Sequence, residues 1–260
     1  MDMSFYTCAV GAHQQQRRLD VHANNIANVN NYGFRTRIPS FSVLMTNQIE
    51  GIQEDLRRGA GARLEAAEAS FHMGDFMGTE RGLDYAINGR GFFAVMDTLT
   101  NEVAYTREGS FSLMNMLGTR YPEPTEEELE LGITPEPIQV QDWFLSDGNG
   151  RYVLDRTGRP IRVERPQDAR YIGDPLPVGI FDFMNYDGME SEGLSGLIAV
   201  EKNGQPFNSD AQLVQGYLEI SNTDFANEMT RVIESQRSFQ YMIRMIQTSD
   251  EITSTVNSLR

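Results

Sequence analysis

The chain is poor in several things, and each scarcity excludes something. It has one cysteine, Cys8, so no disulfide forms within it. It has three histidines, His13, His22 and His72, at no spacing that would hold a metal, and no Cys-x-x-Cys pair. Apolar runs of about 18 residues are missing, so nothing in the sequence spans a bilayer. The start shows no basic region followed by an apolar one, so no cleavable signal is expected. Positive charge is also scarce: 22 Lys and Arg stand against 37 Asp and Glu, a net −15. Residues 1–36 carry +1 and 218–260 carry −2, which leaves −14 in the middle. No basic face is available to neutralise phosphates, so nucleic acid is excluded as a partner, and docking on anionic lipid is disfavoured.

The chemistry-bearing motifs are equally thin. Gly193-Leu194-Ser195-Gly196 misses the spacing of a nucleophile elbow, and no phosphate-cradling loop is present. Gly89-Arg90-Gly91 leads into aromatic and β-branched residues, which reads as a hairpin turn rather than a nucleotide loop. Asp147-Gly148-Asn149 lacks the acid at the twelfth position that a calcium loop needs, since Gly158 stands there. Carboxylates are abundant, but net charge alone explains their density. No catalytic residue, cofactor or metal site is expected.

Helical patterning at the two ends dominates what is present. Phe225, Met229, Val232, Phe239, Ile243 and Ile246 recur at threes, fours or their sum, and Ile252, Val256 and Leu259 continue the series. That is a narrow stripe on a long helix, closer to a coiled-coil seam than to a broad core face. Ser221 to Asp224 offer capping oxygens before it, and neither Gly nor Pro interrupts 225–260. At 1.5 Å per residue such a helix reaches about 54 Å, too long to be wrapped inside a domain of this size. Near the start, Phe5, Cys8, Ala12, Leu19, Ile26 and Val29 fall on heptad a and d positions, with Gln15 and His22 as polar members. Asn24, Asn25, Asn28, Asn30 and Asn31 then accumulate ahead of Gly33, the residue best able to end a helix.

Between these helices, 37–80 reads as an extended linker, with Glu50–Ala69 rich in Gly, Ala and charge. Residues 81–215 carry short β-rich runs punctuated by Gly, Pro and Asn, an irregular all-β domain. Leu117–Asp142 holds four prolines around Glu126–Glu130, the mark of an acidic surface insertion and a poor strand. The fold class expected is therefore α+β: long coiled-coil-type terminal helices (1–36 and 216–260) flanking the central β domain.

Three blocks carry a family resemblance. Ala23-Asn24-Asn25-Ile26-Ala27-Asn28 running into Gly33-Phe34-Arg35 is the first. The second is Ile87-Asn88-Gly89-Arg90-Gly91-Phe92-Phe93 with Ala104–Phe111. Gln215–Asn222 continuing through Gln236–Gln240 and Ile246–Glu251 is the third. In that order and placement they resemble the bacterial flagellar rod and hook proteins, most closely the rod proteins. The sequence departs modestly, with Tyr32 where Thr is usual and Arg35 where Lys is usual.

The resemblance implies a structural, non-enzymatic subunit of the basal-body axis that polymerises into a helical tube transmitting torque. A hook-type subunit, or a surface hydrolase or adhesin built on the β domain, is the alternative. It further implies export through the flagellar type III machinery without a cleaved signal, and residence in the cell envelope or periplasm. Partners would be further copies, other axial proteins and a surrounding bushing or cell wall. The terminal stripes named above would form the subunit interface, and Asn24, Asn25, Asn28, Gly33 and Phe34 the helix-ending motif.

Overall fold

The computed structural model describes residues 3–43, 47–48, 57–58, 62–120, 138–163, 175–193 and 195–259. It divides into two compact units, one of residues 1–72 with 221–260, the other of 73–220.

The first unit is built on two long helices, α1 (Met3–Ala27) and α2 (Phe225–Ser258). Asp224 caps α2, its Oδ1 accepting from the amides of Ala226 at 3.0 Å and Asn227 at 3.2 Å. That satisfies two of the otherwise orphaned first-turn donors. His22 meets Glu228, and Gly11 lies against Met242, so the helices run antiparallel. α1 ends as its sequence dictates. Asn28 donates both its amide and its side chain to the carbonyl of Asn24, and Gly33 takes a left-handed φ of 67°. Phe34 is buried immediately afterwards.

The stretch expected as an extended linker instead carries an antiparallel strand pair, Arg37–Val43 against Ala62–Ala69. Its register runs from Arg37 opposite Ala69 to Val43 opposite Ala62, with an irregularity at Ser40–Phe41. Ala62–Ala69 consists of good helix formers, yet its burial alternates residue by residue, because a partner strand is available and tertiary pairing overrides propensity. Thr36 and Asn222 fasten its base: the Thr36 amide donates to Asn222 Oδ1 at 2.8 Å, and Asn222 Nδ2 donates to the carbonyls of Ser70 and His72.

The second unit is built of β-strands, with one short 3-10 turn at Glu201–Asn203 among its described residues, and reaches past 81–215 at both ends, because Phe76–Gly78 pairs with Tyr217–Glu219. A ten-stranded sheet dominates it. Its spine passes from Arg162–Val163 through Ile138–Ser146, Tyr152–Val153, Phe92–Met96 and Val103–Thr106 to Gly196–Ile198. Tyr85, Phe93, Phe111, Leu145, Val153 and Ile180 fill the core, with Phe93 and Phe111 packed edge to face at 5.2 Å. Burying an apolar side chain of this size contributes about 1.5–3 kcal/mol each.

Two expectations are corrected in this unit. Tyr85–Asn88 and Phe92–Met96 flank the Gly89–Gly91 turn but do not pair with each other: the first joins Gln212–Gln215, the second enters the main sheet. Gly91 is required there, since its φ is 126° and a Cβ would stand 2.7 Å from Ile180 Cγ2. The acidic stretch is not a poor strand at its ends either. Ser112–Arg120 and Ile138–Ser146 pair along their whole length, so both flanks of the insertion are strand. The Glu126–Glu130 run itself lies outside the described residues.

Candidate assembly interface

On α2 the sequence stripe separates into two rows. Glu228, Val232, Ser235, Phe239, Met242, Ile246 and Ser249 recur at alternating fours and threes, and every one is buried or half-buried. This row sets Glu228 against His22 and Met242 against Gly11. The other row is exposed: Phe225, Met229 and Ile233 four apart, Tyr241 and Met245 four apart, then Ile252, Val256 and Leu259. The series read from sequence mixed them. Val232, Phe239, Ile243 and Ile246 are half-buried in the chain, whereas Phe225, Met229, Ile252, Val256 and Leu259 face out. The reason is geometric. Threes and fours in combination cover a wide arc of a helix, and periodicity alone does not say which neighbour covers which part.

On α1, Ala12 is buried, Cys8, Leu19, Ile26 and Val29 are half-buried, and Phe5 is exposed beside Tyr6. Of the helix-ending residues, Asn25, Asn28, Gly33 and Phe34 are buried and Asn24 is exposed.

The exposed apolar surface is concentrated at the far end of α2. From Glu251 to Leu259 every residue is exposed, with Ile252 at 57%, Val256 at 55% and Leu259 at 82%. Antiparallel pairing accounts for this. With His22 level with Glu228 and Gly11 with Met242, α1 begins before it reaches the last turns of α2. Single exposed apolar residues on a surface are ordinary, but a run of them on one helix marks an interaction site.

Sequence reading missed a polar cluster where the end of α1 meets the start of α2. His22 Nδ1 lies 2.7 Å from Glu228 Oε2 with both side chains buried. Asn25 Nδ2 donates to the same oxygen at 3.1 Å and to the Arg37 carbonyl at 2.9 Å, and Arg37 returns its amide to Asn25 Oδ1 at 2.9 Å. Glu228 reads from sequence as a complement to the positive end of the helix dipole; its place in the four-three row was the available signal for burial.

In the β unit a cavity of about 520 Å³ is lined by Asp97, Glu108, Arg151 and Glu192 with glycines and Ser195. Its charged groups are engaged with one another or with nearby donors. Arg151 donates to Asp147 at 2.8 Å and to Glu192 at 2.9 Å; Glu108 accepts from Ser110 and Ser195; Asp97 accepts from two amides of its own turn. Those amide bonds hold the Asp97 carboxyl below its ordinary range. Such a set stiffens loops and presents no pair of carboxylates poised for acid–base work. Elsewhere in the unit Arg107 is buried, and desolvation holds its guanidinium below the ordinary value despite the Glu219 carboxylate 3.1 Å away.

Comparison with known proteins agrees with this geometry. Three family models match: the flagella basal body rod protein over residues 5–35, the flagellar hook protein FlgE/F/G D1 domain over 86–119, and the flagellar basal body rod FlgEFG protein C-terminal over 214–259. The flagellar basal-body rod protein FlgG of Bacillus subtilis is 30% identical over 99% of the chain and 98% of its own length. The proteins of the same name from Buchnera aphidicola (Schizaphis graminum) and Borreliella burgdorferi are each 28% identical, over 98% and 100% of the chain and 99% of their own lengths. Matched over nearly its whole length, the chain belongs to the flagellar basal-body rod protein family.

Proposed function

We infer that the chain is a structural subunit of the flagellar rod, and that it works by assembly rather than by catalysis. The observation that carries this is the exposed apolar end of α2, Ile252, Val256 and Leu259, which the chain's own α1 leaves bare. Continued along α2 through Met245, Tyr241, Ile233, Met229 and Phe225, and joined by Phe5 on α1, it forms the contact with neighbouring copies and other axial proteins. A head-to-tail contact of this kind does not close on itself, so it propagates as a helical tube able to transmit torque. Coiled-coil packing between subunits fits the length of α2, and the β unit, whose core is complete, serves as the outer part. Every relative cited above is named as a rod protein, which favours rod over hook. Residence in the basal body within the cell envelope, export by the flagellar type III route without a cleaved signal, and contact with a surrounding bushing or the cell wall complete the reading.

The test is electron microscopy of basal bodies from cells carrying a tagged copy. Label along the axial rod supports the assignment. Label confined to the hook, or its absence from the basal body while the protein is exported, overturns it.

A further inference from the structure

The polar cluster where α1 ends beside the start of α2 has a use beyond the assembly reading. The buried row of α2 is nearly self-similar under a slide of one heptad. Such a slide brings Ser235 to the place of Glu228, Phe239 to that of Val232 and Ile246 to that of Phe239. At the places of Val232 and Phe239 apolar side chains still follow apolar ones, so those contacts discriminate poorly between the two registers. Met242 gives up its place against Gly11 to Ser249 and takes that of Ser235, an exchange of an apolar for a hydroxyl side chain and the reverse. The carboxylate is the only charged side chain of the row to change place. A slide removes the carboxylate from His22 and Asn25 and leaves their bonds to it unmade.

Stability is a weak explanation for this cluster. His22 Nε2, Gln15 Oε1 and Arg18 Nε are all buried on α1 without a hydrogen-bond partner among the described residues, a costly arrangement that apolar side chains would avoid. The cluster also spans three elements: Asn25 holds Glu228 on one side and, through paired bonds, the backbone of Arg37 at the root of the strand pair on the other.

We propose that His22, Asn25 and Glu228 form a register lock, which fixes where α2 sits along α1 and ties that register to the strand pair beginning at Arg37. The register decides how much of α2 overhangs α1, and so which apolar residues are offered to a neighbour. His22, Asn25 and Glu228 are positioning residues and touch no partner themselves.

The experiment measures register directly. In the full-length Cys8→Ser chain, diluted with unlabelled protein, nitroxide labels are placed at His13→Cys and Gln247→Cys. Both sites are exposed, and they lie apart along the helix axis. Pulsed electron–electron resonance should give a single distance in this background. Adding His22→Leu with Glu228→Leu should keep the helical circular dichroism and produce a second population. A seven-residue slide displaces it by about 10 Å along the axis. Glu228→Gln, which retains an acceptor for both donors, should restore the single population. One unshifted distance in the double variant overturns the lock. Loss of helical signal in that variant also overturns it, since the cluster would then be holding the pair together. A second population in Glu228→Gln would show that charge alone sets the register, and the hydrogen-bonded lock would fail.

Discussion

The two units of this chain treat their apolar side chains differently. The β unit puts its large apolar side chains inside and matches its buried charges, with Arg107 3.1 Å from Glu219 and also donating to the carbonyls of Ile87 and Gly89. The helical unit covers its apolar side chains less completely. Its helix pair encloses His22, Asn25, Glu228 and Ser235, while Phe225, Met229, Ile233, Tyr241 and Met245 stand in solvent. A core closed by its own residues needs nothing more. A helix pair with a polar cluster inside and an apolar row outside leaves apolar surface that a partner could cover.

The comparison is sharpest where the units respond independently. Trp143 is the only tryptophan and lies in the β unit, so its fluorescence reports that unit, while helical circular dichroism reports the other. Phe93→Ala or Phe111→Ala removes half of a buried ring pair and should destabilise the β unit by about 3–5 kcal/mol. The fluorescence-monitored denaturation midpoint should fall steeply while the helical transition stays in place. If both transitions move together, the units fold as one and the contrast is lost.

Glu219→Gln tests the buried charge. It leaves Arg107 without its carboxylate and removes the anionic acceptor that the Gly74 amide now meets at 2.8 Å. Breaking such a pair costs about 3 kcal/mol, again in the fluorescence transition alone. A shift below about 0.5 kcal/mol would mean that water reaches Arg107 and that the β unit is less closed than it looks.

The helical unit should respond the other way. Ile252→Asp or Val256→Asp alters an exposed residue and should change the stability of the isolated chain by less than about 0.5 kcal/mol. In the assembled rod the same carboxylate would be buried without a partner, at a cost of about 2 kcal/mol or more, and cells should lose motility with an exported, β-folded subunit. Ile246→Asp should harm both, because that side chain is already half-buried within the chain. Normal swimming by Ile252→Asp would remove this end of α2 from the interface.

How much of this was legible follows from which signals are local. The ends of α1 and α2 could be read residue by residue, because a run of asparagines before a glycine and an aspartate before an unbroken helix act through their own backbone. The Asp147 and Asp155 turns are local in the same way; each carboxylate accepts amides two and four residues on. What could not be read was partner choice. Ala62–Ala69 looks like helix or linker until Arg37–Val43 is placed beside it. Tyr85–Asn88 and Phe92–Met96 look like one hairpin until each is seen to prefer a distant strand. The α2 stripe looked single because sequence shows spacing but not what covers it. Glu228 does stand in the first turn of α2 as read, but its burial could not be seen, since its partners lie more than 200 residues away.

The smallest expected effect concerns the α2 cap. Asp224 Oδ1 accepts from two first-turn amides and Oδ2 from Asn227 Nδ2, in an exposed position four residues before Glu228. Asp224→Ala should cost about 1 kcal/mol, and Asp224→Asn, which keeps an acceptor oxygen but gives up the charge favoured at a helix start, should cost a few tenths. In the β unit a loss of that size would be spread over a cooperative core. In the helical unit it falls on the first turn of a helix whose fourth residue is Glu228, so it should appear as local opening. Amide exchange should quicken at Ala226, Asn227 and Glu228 in Asp224→Ala, with protection in the strands Phe92–Met96 and Val103–Thr106 unchanged. Uniform exchange changes across both units, or none at the first turn, would show that α2 is held from elsewhere and that its start is not the tender end of the pair.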